Sequence, residues 1–407
     1  MNTTGRTMIA LSAMMGATSA YAQTAAPERH LTAGVRATAT YDSNISRTSD
    51  ELRVRRGLTK EDMRYTPSLT IDALLPLGRQ SLSLIGAVGY DFYQNNTRLN
   101  SERVNLDGAA GFQVSQCSGA FTANYARRQS DLGDLFFITD PVGTISSRVR
   151  NQEDIKSIGV SAACGGAIGI KPTASIQQTW VDNSAGIRRI SDYSSTSAQA
   201  GLSYSRPTFG LLTLFGSYST TSFPNRSSIV GLPDSDGFKS KGGGIRFERA
   251  IGSRLSGLVE VSYTSTDSQR SVNDFSGITY RGQITQRIGT SLLWTFDVSR
   301  AVQPSNRVDA NYSVEELYSF NADYALSERA GINLNLYSRD RNYRGGFLVL
   351  GPSLVNDQTR SVTVGGRYRL LRRINLTLAG TRESRQANGT IFDYKSTRVV
   401  TGISTTF

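Results

Sequence analysis

One histidine and two cysteines among 407 residues remove whole classes of chemistry. A protein-built zinc centre draws its ligands from such residues, and a serine-histidine-aspartate triad needs a placed imidazole. The sole imidazole, His30, stands near the N-terminus. No nucleophile elbow or phosphate loop occurs either, because Gly242-Gly243-Gly244 falls inside a strand-like segment. No catalytic residue, metal or cofactor is therefore expected. Long hydrophobic runs are also missing. Past the first two dozen residues nothing approaches the ~20 apolar residues of a membrane-spanning helix, and the mean hydropathy is −0.30. Charge of one sign is in shorter supply than the other: 33 acidic against 45 basic residues leave +12. The arginines are spread through alternating segments instead of forming a compact patch, which argues against a nucleic-acid partner. Generic disorder fits poorly with 18 Tyr and 16 Phe.

The N-terminus reads as an export signal. Arg6 supplies a positive start, Met8 to Ala17 a short apolar stretch, and Ala20-Tyr21-Ala22 a small-x-small cleavage site. This divides the chain into a leader at 1–22 and a mature domain at 23–407. An oxidising compartment would permit a disulfide between Cys117 and Cys164.

One pattern then repeats along the chain. Leu31, Ala33, Val35, Ala37, Ala39 and Tyr41 interleave with Thr32, Gly34, Arg36, Thr38 and Thr40, and Ile332, Leu334 and Leu336 with Asn333, Asn335 and Tyr337. Period-two alternation sends one set to each face of a strand. Connections alternate too. Short turns near 76–80, 116–118, 165–167, 206–208, 250–253, 288–290, 326–328 and 371–373 separate longer polar stretches at 43–61, 94–102, 130–150, 182–190, 223–237, 268–275, 303–310, 343–357 and 387–393. Short periplasmic turns and long extracellular loops characterise outer-membrane barrels. In hydrocarbon every backbone N–H and C=O must be paired, so only a closed sheet can sit there. The expectation is all-β: one closed antiparallel transmembrane barrel of about eighteen strands, within a range of about sixteen to twenty. Its first strand should start near 31 and its last should cover about 394–407, in the outer membrane of a Gram-negative bacterium.

Position supports that assignment. Tyr41, Tyr65, Tyr90, Phe92, Tyr125, Trp180, Tyr218, Tyr263, Tyr280 and Tyr312 share the apolar parity near the long loops, where an aromatic girdle would meet the lipid interface. Val399, Thr401, Ile403, Thr405 and Phe407 share one face, and a final Phe closing an alternating segment looks like the signal read by the barrel assembly machinery. Cys117 begins the fifth expected strand and Cys164 ends the sixth, which brings them within plausible bridging range at the periplasmic rim. A bridge and two free thiols both remain open.

Val35 to Arg47, reading VRATATYDSNISR, together with Gly277 to Tyr280 and Phe407, resembles a family of Gram-negative outer-membrane β-barrels often encoded in exopolysaccharide or capsule loci. The resemblance implies a barrel serving polysaccharide secretion. It brings a periplasmic polysaccharide-export protein and an inner-membrane copolymerase as partners, besides outer-membrane lipid. Periodicity itself gives the barrel and not the polymer.

On the polar parity, Arg36, Arg103, Arg246, Arg281, Arg287, Arg339, Arg341, Arg367 and Arg369 outnumber Asp72, Asp107, Glu248, Glu260 and Asp323. A low-dielectric wall would focus their field on anions, so an acidic polymer could exchange weak guanidinium contacts while Tyr93 and Tyr337 offer surfaces to sugar rings. A lumen of charges that merely pair with one another is the competing reading. For the whole chain the alternatives are a general diffusion porin or small-solute channel, and a structural or adhesive barrel using the 130–150 loop with Phe136 and Phe137.

Overall fold

The computed structural model describes residues 29–130, 150–227, 235–270, 274–307, 309–344 and 354–407. The expected leader, and the 130–150 loop apart from its end residues, lie outside them. Eighteen strands follow one another in chain order: β1 (His30–Asp42), β2 (Asp62–Leu77), β3 (Gln80–Tyr93), β4 (Ser101–Val114), β5 (Cys117–Gln129), β6 (Gln152–Cys164), β7 (Gly169–Asn183), β8 (Tyr193–Arg206) and β9 (Gly210–Ser222) form one half. The other half is β10 (Gly237–Ile251), β11 (Leu255–Ser268), β12 (Phe275–Ile288), β13 (Leu292–Pro304), β14 (Tyr312–Ala325), β15 (Ala330–Arg344), β16 (Asn356–Arg369), β17 (Ile374–Ala387) and β18 (Tyr394–Thr406). Each pairs antiparallel with its sequence neighbours, and β1 pairs with β18 from Gly34↔Thr406 to Asp42↔Arg398. The sheet is closed, so the backbone leaves no unpaired edge for hydrocarbon.

The alternation decides which face is which. Directly paired residues share a face, so one anchored position fixes its neighbours around the ring. Leu69 pairs with Val88, and Leu214 with Ile245 and Leu202, and all five are exposed on the outer wall. Arg36 pairs with Ser68 and Ser404 on the opposite, lumenal face. Three of the short turns place Gly78, Gly252 and Gly289 at φ 68°, 61° and 59°. At these positions glycine turns the chain without the cost a Cβ would bring. The only α-helix among the described residues, α1 (Asp50–Arg55), lies in the first long loop, where no helical period had been expected.

The wall does not run evenly to its extracellular end. The last pair between β12 and β13 is Tyr280↔Arg300, yet β13 continues to Pro304 and remains paired with β14 as far as Tyr312. Freed from β12, the tops of β13 and β14 lean inward. Tyr312 and Val314, outward by parity, are thereby buried with Phe223 and Phe238, and Tyr193, Phe275 and Val302 pack against them. Tyr312 thus departs from the expected girdle: its ring lies 5.3 Å from that of Phe238, closed off from lipid. Tyr65, Phe92, Trp180, Tyr218 and Tyr263 remain exposed on the outer wall.

Cys117 and Cys164 are directly paired across β5 and β6, with Cα atoms 3.9 Å apart, and are joined as a disulfide on the outer face beside the short turns.

Candidate functional site: the lumen and its mouth

Every arginine and tyrosine assigned to the lumen by alternation lies on the inward face of its strand, because the register never slips within the wall. Their surroundings differ. Arg246 binds Glu260 at 2.5 Å and lies 5.4 Å from the Phe215 ring centre. Arg281 sits opposite Glu260 on the neighbouring strand. Arg367 approaches Asp323 at 3.7 Å, and Arg103 and Arg64 approach Asp91 at 3.9 and 3.7 Å. Arg341 is held by both oxygens of Asp357, at 2.8 and 2.7 Å, and Arg385 binds the same carboxylate. Arg339 sits two residues from Arg341 on the same face. Tyr93 is covered by the loops, packed with Leu58 and Leu99 and hydrogen-bonded by Arg64 at 3.5 Å. Arg341 and Tyr93 are therefore buried near the mouth and offer a solute nothing, whereas Tyr337 stays half-buried on the inner wall.

Arg36, Arg287 and Arg369 are exposed, and none of the described residues forms an ion pair or hydrogen bond with their guanidinium groups. Arg36 lies mid-strand in β1, while Arg287 and Arg369 lie at the periplasmic ends of β12 and β16. The balance of charge differs from the alternation estimate. Asp91, Asp297, Glu315, Asp357 and Glu383 also face inward, and they neutralise much of the arginine charge. Being near strand ends or among residues without clean alternation, most carry little periodic signal. What survives as free cation is concentrated mid-wall and toward the periplasm.

The mouth is bridged. Arg226, in the connection between β9 and β10, is fully buried and spends its guanidinium on five acceptors. It donates to the carbonyls of Ile190, Ser305, Arg307 and Ala310 at 2.9, 2.9, 3.0 and 3.3 Å, and to Asp236 at 3.2 Å. Burial pulls its pKa down to about 9, with Asp236 opposing that shift, so the group is still protonated at neutral pH. Asp236 also takes both prongs of Arg270, at 2.9 and 2.6 Å. Ser191 donates to the Asn306 carbonyl at 2.6 Å, and Arg307 lies 5.2 Å from the Phe392 ring centre. Ser191 precedes β8 and Phe392 precedes β18, which stand nearly opposite on the ring. Adjacent residues Asn306 and Arg307 thus touch both sides of the opening. Sequence reasoning missed this knot because Arg226, Asp236, Arg270 and Arg307 lie in aperiodic loops, where spacing carries no information about contact.

A closed antiparallel barrel with an apolar outer wall, a charged lumen and long loops on one side is an outer-membrane protein of the porin class. Residues 30–407 match the family model described as "Putative beta-barrel porin 2", and the chain belongs to that family. A comparison with curated proteins finds no match. Among solved structures, a BenF-like porin from Pseudomonas fluorescens Pf-5 is 10% identical with a TM-score of 0.47, covering 94% of this chain and 99% of its own. OccK2 (OpdF) of Pseudomonas aeruginosa, solved with glucuronate, is 10% identical with a TM-score of 0.46, covering 93% and 98%. The siderophore receptor PirA of Acinetobacter baumannii is 7% identical with a TM-score of 0.46, covering 93% and 81%. The fold rests on the strand pairing itself, and these distant likenesses add nothing about substrate.

Proposed function

We propose that the chain is a channel for small anionic solutes. The carrying observation is the pairing of a bridged mouth with free lumenal cations. Asn306 and Arg307, between β13 and β14, reach both sides of the opening, while the guanidinium groups of Arg36, Arg287 and Arg369 stand unpaired along the wall below. A narrow entrance favours small solutes. Unpaired guanidinium groups on a low-dielectric wall raise the local concentration of anions, and exposed contacts stay weak enough to release them. A polymer conduit would need that bridge displaced, and the family description says nothing of polysaccharide. The export protein and copolymerase expected from the resemblance enter only with that polymer. The adhesive reading rests on the 130–150 loop, whose interior lies outside the described residues.

Planar-bilayer recording in a salt gradient tests the proposal. The reversal potential should show anion preference, and combining Arg36→Gln, Arg287→Gln and Arg369→Gln should bring the anion-to-cation permeability ratio close to unity. A cation-selective pore, or a ratio unchanged in the triple variant, rejects it. Passage of a long acidic polysaccharide through the unmodified barrel would restore the polymer reading.

A further inference from the structure

The short turns carry a feature that permeation leaves unused. Arg79 follows Gly78 between β2 and β3, and Arg206 ends β8. Arg249 and Arg254 flank the β10–β11 turn, Arg329 closes the β14–β15 turn, and Arg372 and Arg373 form the β16–β17 turn. All seven are exposed, and none of their guanidinium groups has an ion pair or hydrogen bond with a described residue. The eight turns contain a single carboxylate, Glu328. Beside the arginines stand exposed apolar side chains: Leu77, Phe209, Ile251, Leu326, Leu370 and Leu371. By parity Leu77, Ile251, Arg206 and Arg249 all point away from the lumen.

We propose that this rim binds anionic phospholipids of the inner leaflet, each headgroup phosphate being held by turn arginines while the neighbouring apolar side chains enter the acyl region. Arginine suits the task because its planar fork matches phosphate oxygens two at a time. Its stem can lie along apolar surface while the head reaches the interface. The occupant is argued from distribution. The cations are spread over five turns around the ring, each beside an outward apolar residue, which fits a continuous leaflet better than one docked acidic protein. The outer wall supplies continuity, since Leu77 and Ile251 end strands whose outward residues already face hydrocarbon.

The test uses the full mature chain, folded into vesicles of phosphatidylcholine alone or of phosphatidylcholine mixed with phosphatidylglycerol. Folding is read from heat-modifiable gel mobility and from the fluorescence of Trp180 and Trp294. Phosphatidylglycerol should slow urea-induced unfolding about tenfold at low salt, and much of that effect should vanish near molar salt, where the screening length falls to ~3 Å. A variant with glutamine at Arg79, Arg206, Arg249, Arg254, Arg329, Arg372 and Arg373 should fold in phosphatidylcholine and lose the phosphatidylglycerol effect. If that variant fails to fold, Arg249→Gln with Arg372→Gln and Arg373→Gln should halve the effect or better. Unfolding indifferent to lipid charge, or a substituted protein that keeps the full effect, overturns the proposal. Capture of polyglutamate together with indifference to lipid charge would overturn it in favour of an acidic protein partner.

Discussion

Arg226 and Arg372 place the same guanidinium group at opposite ends of one barrel, and their surroundings share almost nothing. Arg226 is fully buried, with five acceptors around it, one of them a carboxylate that also serves Arg270. Arg372 is exposed in a turn with no such acceptor among the described residues. Long loops can fold back and surround a charge, whereas a turn of a few residues has no material to do so. Arginine consequently acts as a fastener where the chain is long and as a free cation where it is short. A buried charge without its partner is costly, while an exposed one costs little, so the two ends should respond very differently to the same kind of substitution.

The largest effect is expected at Asp236. Removing its carboxylate by Asp236→Ala leaves Arg226 and Arg270 both buried without their common counter-charge, a loss of about 3–5 kcal/mol on the scale of broken buried pairs. The wall has its own backbone pairing, so the loss should fall on the mouth. Protease cleavage within 223–236 and 305–311 should become faster and bilayer conductance should rise, while heat-modifiable mobility persists. An unchanged conductance would mean that the bridge does not limit the opening, and the contrast between the two ends would lose its functional half.

The second effect lies at the rim and tests whether covalent chemistry compensates there for the lack of loop packing. The Cys117–Cys164 bridge closes a separation of 47 residues. By loop-closure entropy this is worth on the order of 4 kcal/mol as an upper figure. The two strands are already held by a full ladder from Cys117↔Cys164 to Gln129↔Gln152, so the native state should look the same without the bond. Cys117→Ser with Cys164→Ser should lower the urea midpoint of unfolding and leave conductance untouched. A midpoint equal to that of the unmodified protein would show that the ladder alone secures this corner.

How much of this was legible in the sequence follows from where period two survives. Arg36, Arg281, Arg339 and Arg367 lie within strands, where alternation alone assigns a residue to a face, and the same rule puts Trp180 and Tyr263 on the outer wall. Tyr312 obeys the parity yet is buried, because β13 parts from β12 beyond Arg300 and leans across the opening. Local pattern cannot see a strand bend that depends on distant loops. Arg341 shows the complementary limit: alternation assigns its face, but its partner Asp357 sits at the start of β16, after a long loop. The turn arginines went unread for a different reason: period two assigns faces within strands and gives no role to a side chain in the turn between them.

The smallest effect is the sharpest control on the comparison. Arg79→Gln or Arg372→Gln, each made alone, removes a charge that no described side chain holds. Surface substitutions of this kind usually change stability by less than ~0.5 kcal/mol. In neutral detergent the thermal midpoint should therefore stay within error of the unmodified protein, even though Asp236→Ala changes one charge as well. A substantial loss in detergent would mean that the turn arginines stabilise the barrel through contacts within the protein, and the periplasmic end would then have to be understood, like the mouth, as a structure held by its own charges.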